Sequence, residues 1–197
     1  MLFSNINKYQ IILASDSPRR KDLLKKINIS FRTISPQVEE SFPSNLKGSE
    51  ISDYLAKLKA DSFKSNLNKN EIVITADTIV WFKNEYIGKP KSINETIQIL
   101  KKMSNNFHTV ITSVGITGLN RQIIFNEKSF VYFRELEDSE IYNYVKNFDT
   151  LDKAGGYGIQ DWIGFVGVDK IEGSYTNIMG FPLSKFIKKI NEFLKTL

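Results

Sequence analysis

The sequence predicts an α/β protein built on a mixed β-sheet, and three observations carry that prediction. Short apolar runs alternate with segments whose apolar residues recur every three or four positions, the pattern of βα units. Two long β-rich stretches, residues 108–117 and 122–133, are separated only by Gly118-Leu119-Asn120-Arg121, which reads as an antiparallel hairpin. With 197 residues, 41% of them hydrophobic and 25% charged, the chain can bury its own core. It has no repeat, low-complexity tract or linker, so residues 1–197 are expected to form one domain.

Taken in order, residues 10–14 form a short apolar run and a buried strand. Ser17 is then placed to cap a helix with Pro18 at its first position, where the missing N–H costs nothing, and Leu23, Leu24 and Ile27 face inward. A second strand is expected at residues 31–34. After a polar segment over 39–48, Ile51, Tyr54, Leu55 and Leu58 recur at helical spacing. Residues 71–82 are an apolar, β-branched run ending at a Lys83-Asn84-Glu85 turn. Ser92 and Glu95 form a capping box ahead of Ile97, Leu100 and Met103, predicting a helix over 93–103. Past the hairpin, 138–147 has helical character, 155–158 is a glycine-rich bend, and 162–168 reads as a strand. The chain closes on an amphipathic helix over 183–197, with Phe186, Ile187, Ile190 and Leu194 inward.

Composition limits the chemistry. Cysteine is absent and His108 is the one histidine, which excludes disulfides, thiolate zinc sites, a cysteine nucleophile and multi-histidine metal sites. His108 opens a β run and reads as structural. The balance of 27 basic against 22 acidic residues, net +5, suits an anionic ligand, although scattered lysines read mainly as solvated helix faces. No signal peptide or spanning helix is evident, so a cytoplasmic protein without membrane contact is expected.

Three segments could carry chemistry. Ser15-Asp16-Ser17-Pro18-Arg19-Arg20 follows a strand and opens a helix, where free N–H groups, serine hydroxyls and two guanidiniums could receive phosphate. The same residues also describe a capped helix with two solvated arginines. Asp77 interrupts an apolar run, so it must pair, bind a cation, or sit at a break in the strand. Glu39-Glu40 could add a second carboxylate for a hard cation, or form a solvated loop. In 152–160, dense glycines allow close backbone approach, Lys153 offers a charge, and Gln160 offers both a donor and an acceptor to a base edge. That stretch could equally be a tight turn. Gly88-Lys89-Pro90 holds a further lysine on a rigid turn.

Leu13-Ala14-Ser15-Asp16-Ser17-Pro18-Arg19-Arg20, Val38-Glu39-Glu40, Ala76-Asp77-Thr78-Ile79-Val80, Gly88-Lys89-Pro90 and His108-Thr109-Val110 occur in that order. They are followed by Asp152-Lys153-Ala154-Gly155-Gly156-Tyr157-Gly158-Ile159-Gln160, Gly173-Ser174-Tyr175 and Gly180-Phe181-Pro182-Leu183. Together they resemble the Maf family of nucleoside triphosphate pyrophosphatases over residues 11–183. The resemblance implies an elongated mixed β-sheet flanked by helices, with two lobes around a cleft, like inosine triphosphate pyrophosphatase, and a homodimer. It also implies Mg²⁺- or Mn²⁺-dependent hydrolysis of a nucleoside triphosphate to the monophosphate and pyrophosphate. Asp77 falls on the family's proton acceptor, and Arg19, Thr78 and Gln160 fall on its specificity positions. Those identities resemble the branch acting on dTTP, UTP and modified pyrimidine nucleotides.

In the mechanism this implies, Asp77 and Glu40 would hold the metal, and Asp77 would activate water. Arg19, Arg20, Lys89 and Lys153 would offset triphosphate charge. Ser15 and Ser17 would seat phosphate oxygens, while Thr78 and Gln160 would read the base. The sequence departs from the family at three places. A leucine-alanine-x-x-lysine-alanine slot, counted from Tyr54, falls on Ser62, with Lys59 and Lys64 nearby. Asp161 replaces a usual glycine, and Phe181 a usual leucine. The competing readings are a non-catalytic nucleotide- or nucleic-acid-binding regulator linked to cell division, and a phosphatase releasing orthophosphate. No stable nucleic-acid partner is expected, because the arginines are few.

Overall fold

A computed structural model describes residues 6–195, and its centre is the apolar run of Glu71–Phe82, strand β3. Before it come β1 (Gln10–Ala14), α1 (Pro18–Lys26), β2 (Phe31–Thr33) and α2 (Ser49–Asp61). After it come β4 (Glu85–Ile87), α3 (Ile93–Met103), β5 (Phe107–Thr117), β6 (Gln122–Phe133) and α4 (Asp138–Asn147). The chain finishes with α5 (Trp162–Val166), β7 (Val168–Glu172), α6 (Tyr175–Ile178) and α7 (Leu183–Leu194). The strands form one mixed sheet in the order β2-β1-β3-β5-β6-β7, with β4 paired to β3. β1 lies parallel to both β2 and β3, and the pairs of β3 with β5, β5 with β6 and β6 with β7 are antiparallel.

Local chemistry accounts for most element ends. Lys83 and Asn84 both take positive φ, 47° and 66°, so the β3–β4 hairpin closes through a two-residue loop whose twist matches its strands. Ser92 accepts the Glu95 amide at 3.2 Å and Glu95 accepts the Lys91 amide at 2.7 Å, fixing the start of α3. Gly118 N–H donates to Arg121 O at 2.8 Å, closing the expected β5–β6 hairpin.

Three expectations need correction. The apolar residues 162–168 do not form a strand: Trp162–Val166 is a short helix, and the strand is the more polar Val168–Glu172 that follows. An apolar run this short fits either state until tertiary packing chooses, and burial of Ile163 against α4 favours the helix. Ser17 occupies the N-cap position of α1, yet its side chain makes no capping bond. In α7, Phe193 is buried where Ile187 was expected to be, and Ile187 is half-buried. The tail of that helix, drawn to Leu197, lies partly outside the described residues.

Two large apolar clusters flank the middle of β3. One joins α1 and α7 to Ile72, Ile74, Val114 and Ile116, and the other joins α3 and α4 to Val80, Phe82, Val110 and Tyr157. These are the two lobes. His108 belongs to the second: it is buried, its Nε2 lies 2.6 Å from the Tyr157 hydroxyl, and burial holds its pKa down at about 3. Because the unfolded chain binds this proton near pH 6.5 and the folded one does not, stability should fall as pH drops from 6.5 towards 3. Between pH 7 and pH 5 the contribution is about 2 kcal/mol. Urea melts should show His108→Gln losing about that much less stability over this interval, and identical losses in the two proteins would refute the account.

Candidate active site

The cleft arises from a gap in strand pairing. On one side of β3, β1 pairs with residues 71–75 and β4 with residues 80–82. Residues 76–79 are therefore left without a strand partner on that edge, beyond the carboxyl end of β1 and at the start of α1. Ligand sites in α/β sheets favour this position, where helix amino termini and strand ends converge. The resulting cleft encloses about 410 Å³. It lies between the lobes, lined by Ala76 from one apolar cluster and by Val80, Val110 and Ile159 from the other.

At its centre, Lys59 of α2 lies between two carboxylates. Its Nζ donates to Asp77 Oδ1 at 2.7 Å and lies 3.0 Å from Glu40 Oε1. Lys59 and Asp77 side chains are 6% and 9% exposed, whereas Glu40 is 49% exposed, so the pair is buried beneath an open rim. Burial pushes the Asp77 pKa up, and the Lys59 ammonium opposes that rise. The sequence explains the placement: Asp77 and Thr75 point to the same face of β3, and Thr75 Oγ1 donates to Ala56 O at 2.9 Å, seating α2 one turn from Lys59. No described residue hydrogen-bonds Asp77 Oδ2. Among the described residues, no group of three histidine, aspartate or glutamate side chains is arranged to hold a metal.

The β1–α1 turn supplies the facing wall. Ser15 Oγ accepts from Ser17 N–H and from Arg20 Nη1, each at 3.2 Å. Arg20 also donates from Nε to Gly180 O at 3.0 Å and from Nη2 to Thr78 Oγ1 at 3.1 Å. Burial pulls its pKa down, opposed by Asp77, but an arginine keeps its charge. Arg19 instead crosses the cleft to Asp152, donating to its carboxylate at 2.7 Å and its carbonyl at 3.2 Å.

The glycine segment forms the far end. Gly155 and Gly156 take φ of 73° and 71°, and a Cβ on either would come within 2.9 Å of Val80 Cγ2 or 2.8 Å of Thr96 Cγ2. Only glycine lets this segment press onto β3 and α3, where Gly155 N–H reaches Gly88 O at 2.9 Å. Lys89, on that same turn, is exposed at the cleft and has no ion-pair partner among the described residues. Lys153 lies 3.0 Å from Asp152 Oδ1 and also donates to Asp149 O, so its charge is engaged within the protein. Gln160 Oε1 is buried without a hydrogen-bond partner.

The ten residues given a role in the expected mechanism all line this one cleft, whereas Glu39, the other half of the acidic pair, does not. Nor does His108.

The Maf-like protein family matches residues 10–193. The chain belongs to the Maf family. It is 45% identical over 197 residues to a dTTP/UTP pyrophosphatase of Flavobacterium johnsoniae, covering the whole of both chains. It is 42% identical over 193 residues to a dTTP/UTP pyrophosphatase of Bacteroides thetaiotaomicron, covering 97% of this chain and all of that one. Among solved structures, the Staphylococcus aureus Ham1 protein overlays 63% of this chain and 71% of its own at 20% identity, with a TM-score of 0.46.

The lysine slot of the Maf pattern belongs to Lys59 and not to Ser62. Leu55-Ala56-Lys57-Leu58-Lys59-Ala60 carries the motif, so its lysine is Lys59; Ser62 lies one helical turn away and donates to Lys59 O at 2.8 Å. Asp152 was quoted in the sequence only as part of a motif, and its pairing with Arg19 spans 133 positions. Tyr86 was missed altogether: it lines the cleft 41% exposed, its ring edge 5.1 Å from Phe42 between centroids. Nothing local marked it, because an aromatic residue in a strand can equally face solvent, as the 54% exposed Phe107 does in β5.

Proposed function

We propose that this Maf protein is a nucleoside triphosphate pyrophosphatase hydrolysing dTTP and UTP, and base-modified pyrimidine nucleotides, to the monophosphate and pyrophosphate. The observation that carries the reading is the buried Asp77–Lys59 pair at the centre of a cleft rimmed by Arg19, Arg20 and Lys89. In this reading water attacks the α-phosphorus, the bond to the β,γ-pyrophosphate breaks, and Asp77 takes the water's proton. Arg20 and Lys89 stabilise charge moving onto the leaving pyrophosphate, and Arg19 joins them once phosphate displaces Asp152. Ser15 and Ser17 seat phosphate oxygens at the start of α1, while Gln160, with its unsatisfied acceptor, and Thr78 read the pyrimidine edge.

A divalent cation, Mg²⁺ or Mn²⁺, fits the residues present. Asp77 and Glu40 lie on either side of the Lys59 ammonium, and Asp77 Oδ2, which no described residue hydrogen-bonds, leaves a carboxylate oxygen for a cation beside it. Mg²⁺ is commonly held by one or two carboxylates together with substrate phosphates rather than by an all-protein cage. Asp77 and Glu40 would hold it, and it would supply charge compensation to the phosphate oxygens. Lys153 supports the glycine segment more than it contacts phosphate, because its ammonium already has internal partners. A homodimer working in the cytoplasm completes the reading, the dimer being open to test by sedimentation equilibrium.

A panel of dTTP, UTP, 5-methyl-UTP, CTP and 7-methyl-GTP, scored for pyrophosphate with Mg²⁺ or Mn²⁺ present, tests the function. Turnover is expected on the first three at least tenfold above 7-methyl-GTP. Equal rates on 7-methyl-GTP would overturn the branch, release of orthophosphate instead would indicate a phosphatase, and binding without turnover would indicate a regulator.

A further inference from the structure

Asp161 occupies the N-cap position of α5 yet makes no capping bond with its side chain. The carboxylate turns back across the preceding residues. Its Oδ2 accepts from the Tyr144 hydroxyl at 2.9 Å and lies 3.6 Å from Lys153 Nζ, and the side chain is only 17% exposed. The Tyr144 hydroxyl in turn accepts from Gly158 N–H at 3.1 Å, and Asp161 N–H donates to Gly158 O at 3.0 Å. A Cβ on Gly158 would lie 2.4 Å from Asp161 Oδ2, so glycine is what lets the carboxylate pass. Residues 158–161 are thus locked into a closed turn by both the backbone and the side chain of Asp161. Gln160, with its unpartnered buried Oε1, is held at the apex of that turn.

We infer that Asp161 is a positioning residue for recognition of the base: it touches no substrate, but fixes Gln160 through Tyr144 and Gly158. The inference rests on the pyrimidine-nucleotide reading of the cleft. It separates two ends of the site. Ser15, Arg20 and Lys89 share no hydrogen bond with Asp161 or Tyr144, and Lys153, 3.6 Å from Asp161, keeps Asp152 and the Asp149 carbonyl as nearer partners, so loosening this turn should weaken contacts to the base while leaving the phosphate end intact. Removing the carboxylate while keeping an acceptor should restore the lock, because the Tyr144 hydroxyl needs an oxygen there and not a charge.

The test compares dissociation constants for an α,β-methylene analogue of dTTP, which cannot release pyrophosphate, and for inorganic tripolyphosphate, which has no base. Asp161→Ala is expected to weaken the analogue about tenfold while tripolyphosphate changes less than twofold, and Asp161→Asn should bind the analogue within about threefold of the parent. Equal weakening of both ligands would make Asp161 a scaffold residue and overturn the inference. An Asn variant as weak as the Ala variant would also overturn it. If Asp161→Ala does not fold, Tyr144→Phe removes the same hydrogen bond and must give the same split; unchanged analogue binding in it would defeat the proposal. A parent protein that binds the analogue no better than tripolyphosphate reads no base, and that too would defeat it. The pyrophosphatase reading fails separately, if the parent binds the analogue but releases no pyrophosphate from dTTP or UTP.

Discussion

Asp77→Asn is expected to lower turnover on dTTP and UTP about a thousandfold while leaving nucleotide affinity within a few-fold, which corresponds to about 4 kcal/mol of lost transition-state stabilisation. The size follows from what the substitution removes. Asn keeps the shape of the side chain and can still accept from Lys59, so the wall of the cleft stays in place. It cannot take a proton from water, and it removes one of the two carboxylates available to a cation. The fold should tolerate the change, since Lys59 keeps Glu40 as a counter-charge at 3.0 Å. Single-turnover kinetics with pyrophosphate detection, beside thermal melting, separate chemistry from stability. Turnover within tenfold of the parent, with the fold intact, would remove Asp77 from the role of base.

Much of this site could be read in the sequence because its parts lie at element ends that announce themselves. The β1–α1 turn is marked by an apolar run followed by Ser17-Pro18, and the β3 aspartate by the charge that breaks an apolar run. Residues chosen for those reasons all line the same cleft. What the sequence withheld was pairing. Nothing local says that Arg19 meets Asp152, or that Lys153 is enclosed by acceptors, because such contacts depend on how the two lobes come together. The lysine of α2 was displaced for a different reason: the slot was counted from Tyr54, although Leu55-Ala56-Lys57-Leu58-Lys59-Ala60 carries the pattern in the sequence itself, and burial against β3 agrees in picking out Lys59. The fold shows the same division. Long elements with strong periodicity, such as β3, α3 and the β5–β6 hairpin, follow from pattern alone. The boundary between α5 and β7 does not, because five apolar residues suit either conformation and β7 is polar enough to resemble a loop.

Lys59→Met should be nearly as damaging as the loss of Asp77, but with a different signature. Met matches the length of the lysine stem and keeps its packing against β3, so the change isolates the charge. Without the ammonium, Asp77 is a buried carboxylate facing Glu40 with only Arg20 to offset it, and Arg20 is committed to Gly180, Ser15 and Thr78. Breaking a buried pair by removing one partner costs about 3–5 kcal/mol when the remaining charge is retained. Asp77 can avoid that cost by taking up a proton. Burial already raises its pKa and Lys59 opposes the rise, so removing Lys59 pushes it higher still. A base must be unprotonated to act, so activity disappears as pH falls through its pKa. The acid limb of the kcat/KM profile should therefore move to higher pH in Lys59→Met, and part of the lost turnover should return as the pH is raised. Asp77→Asn should show no such recovery, having no carboxylate to ionise. Profiles measured at saturating Mg²⁺ decide the matter: an acid limb left in place in Lys59→Met would mean that the ammonium does not govern the protonation of Asp77, and that its role lies in contact with the phosphates alone.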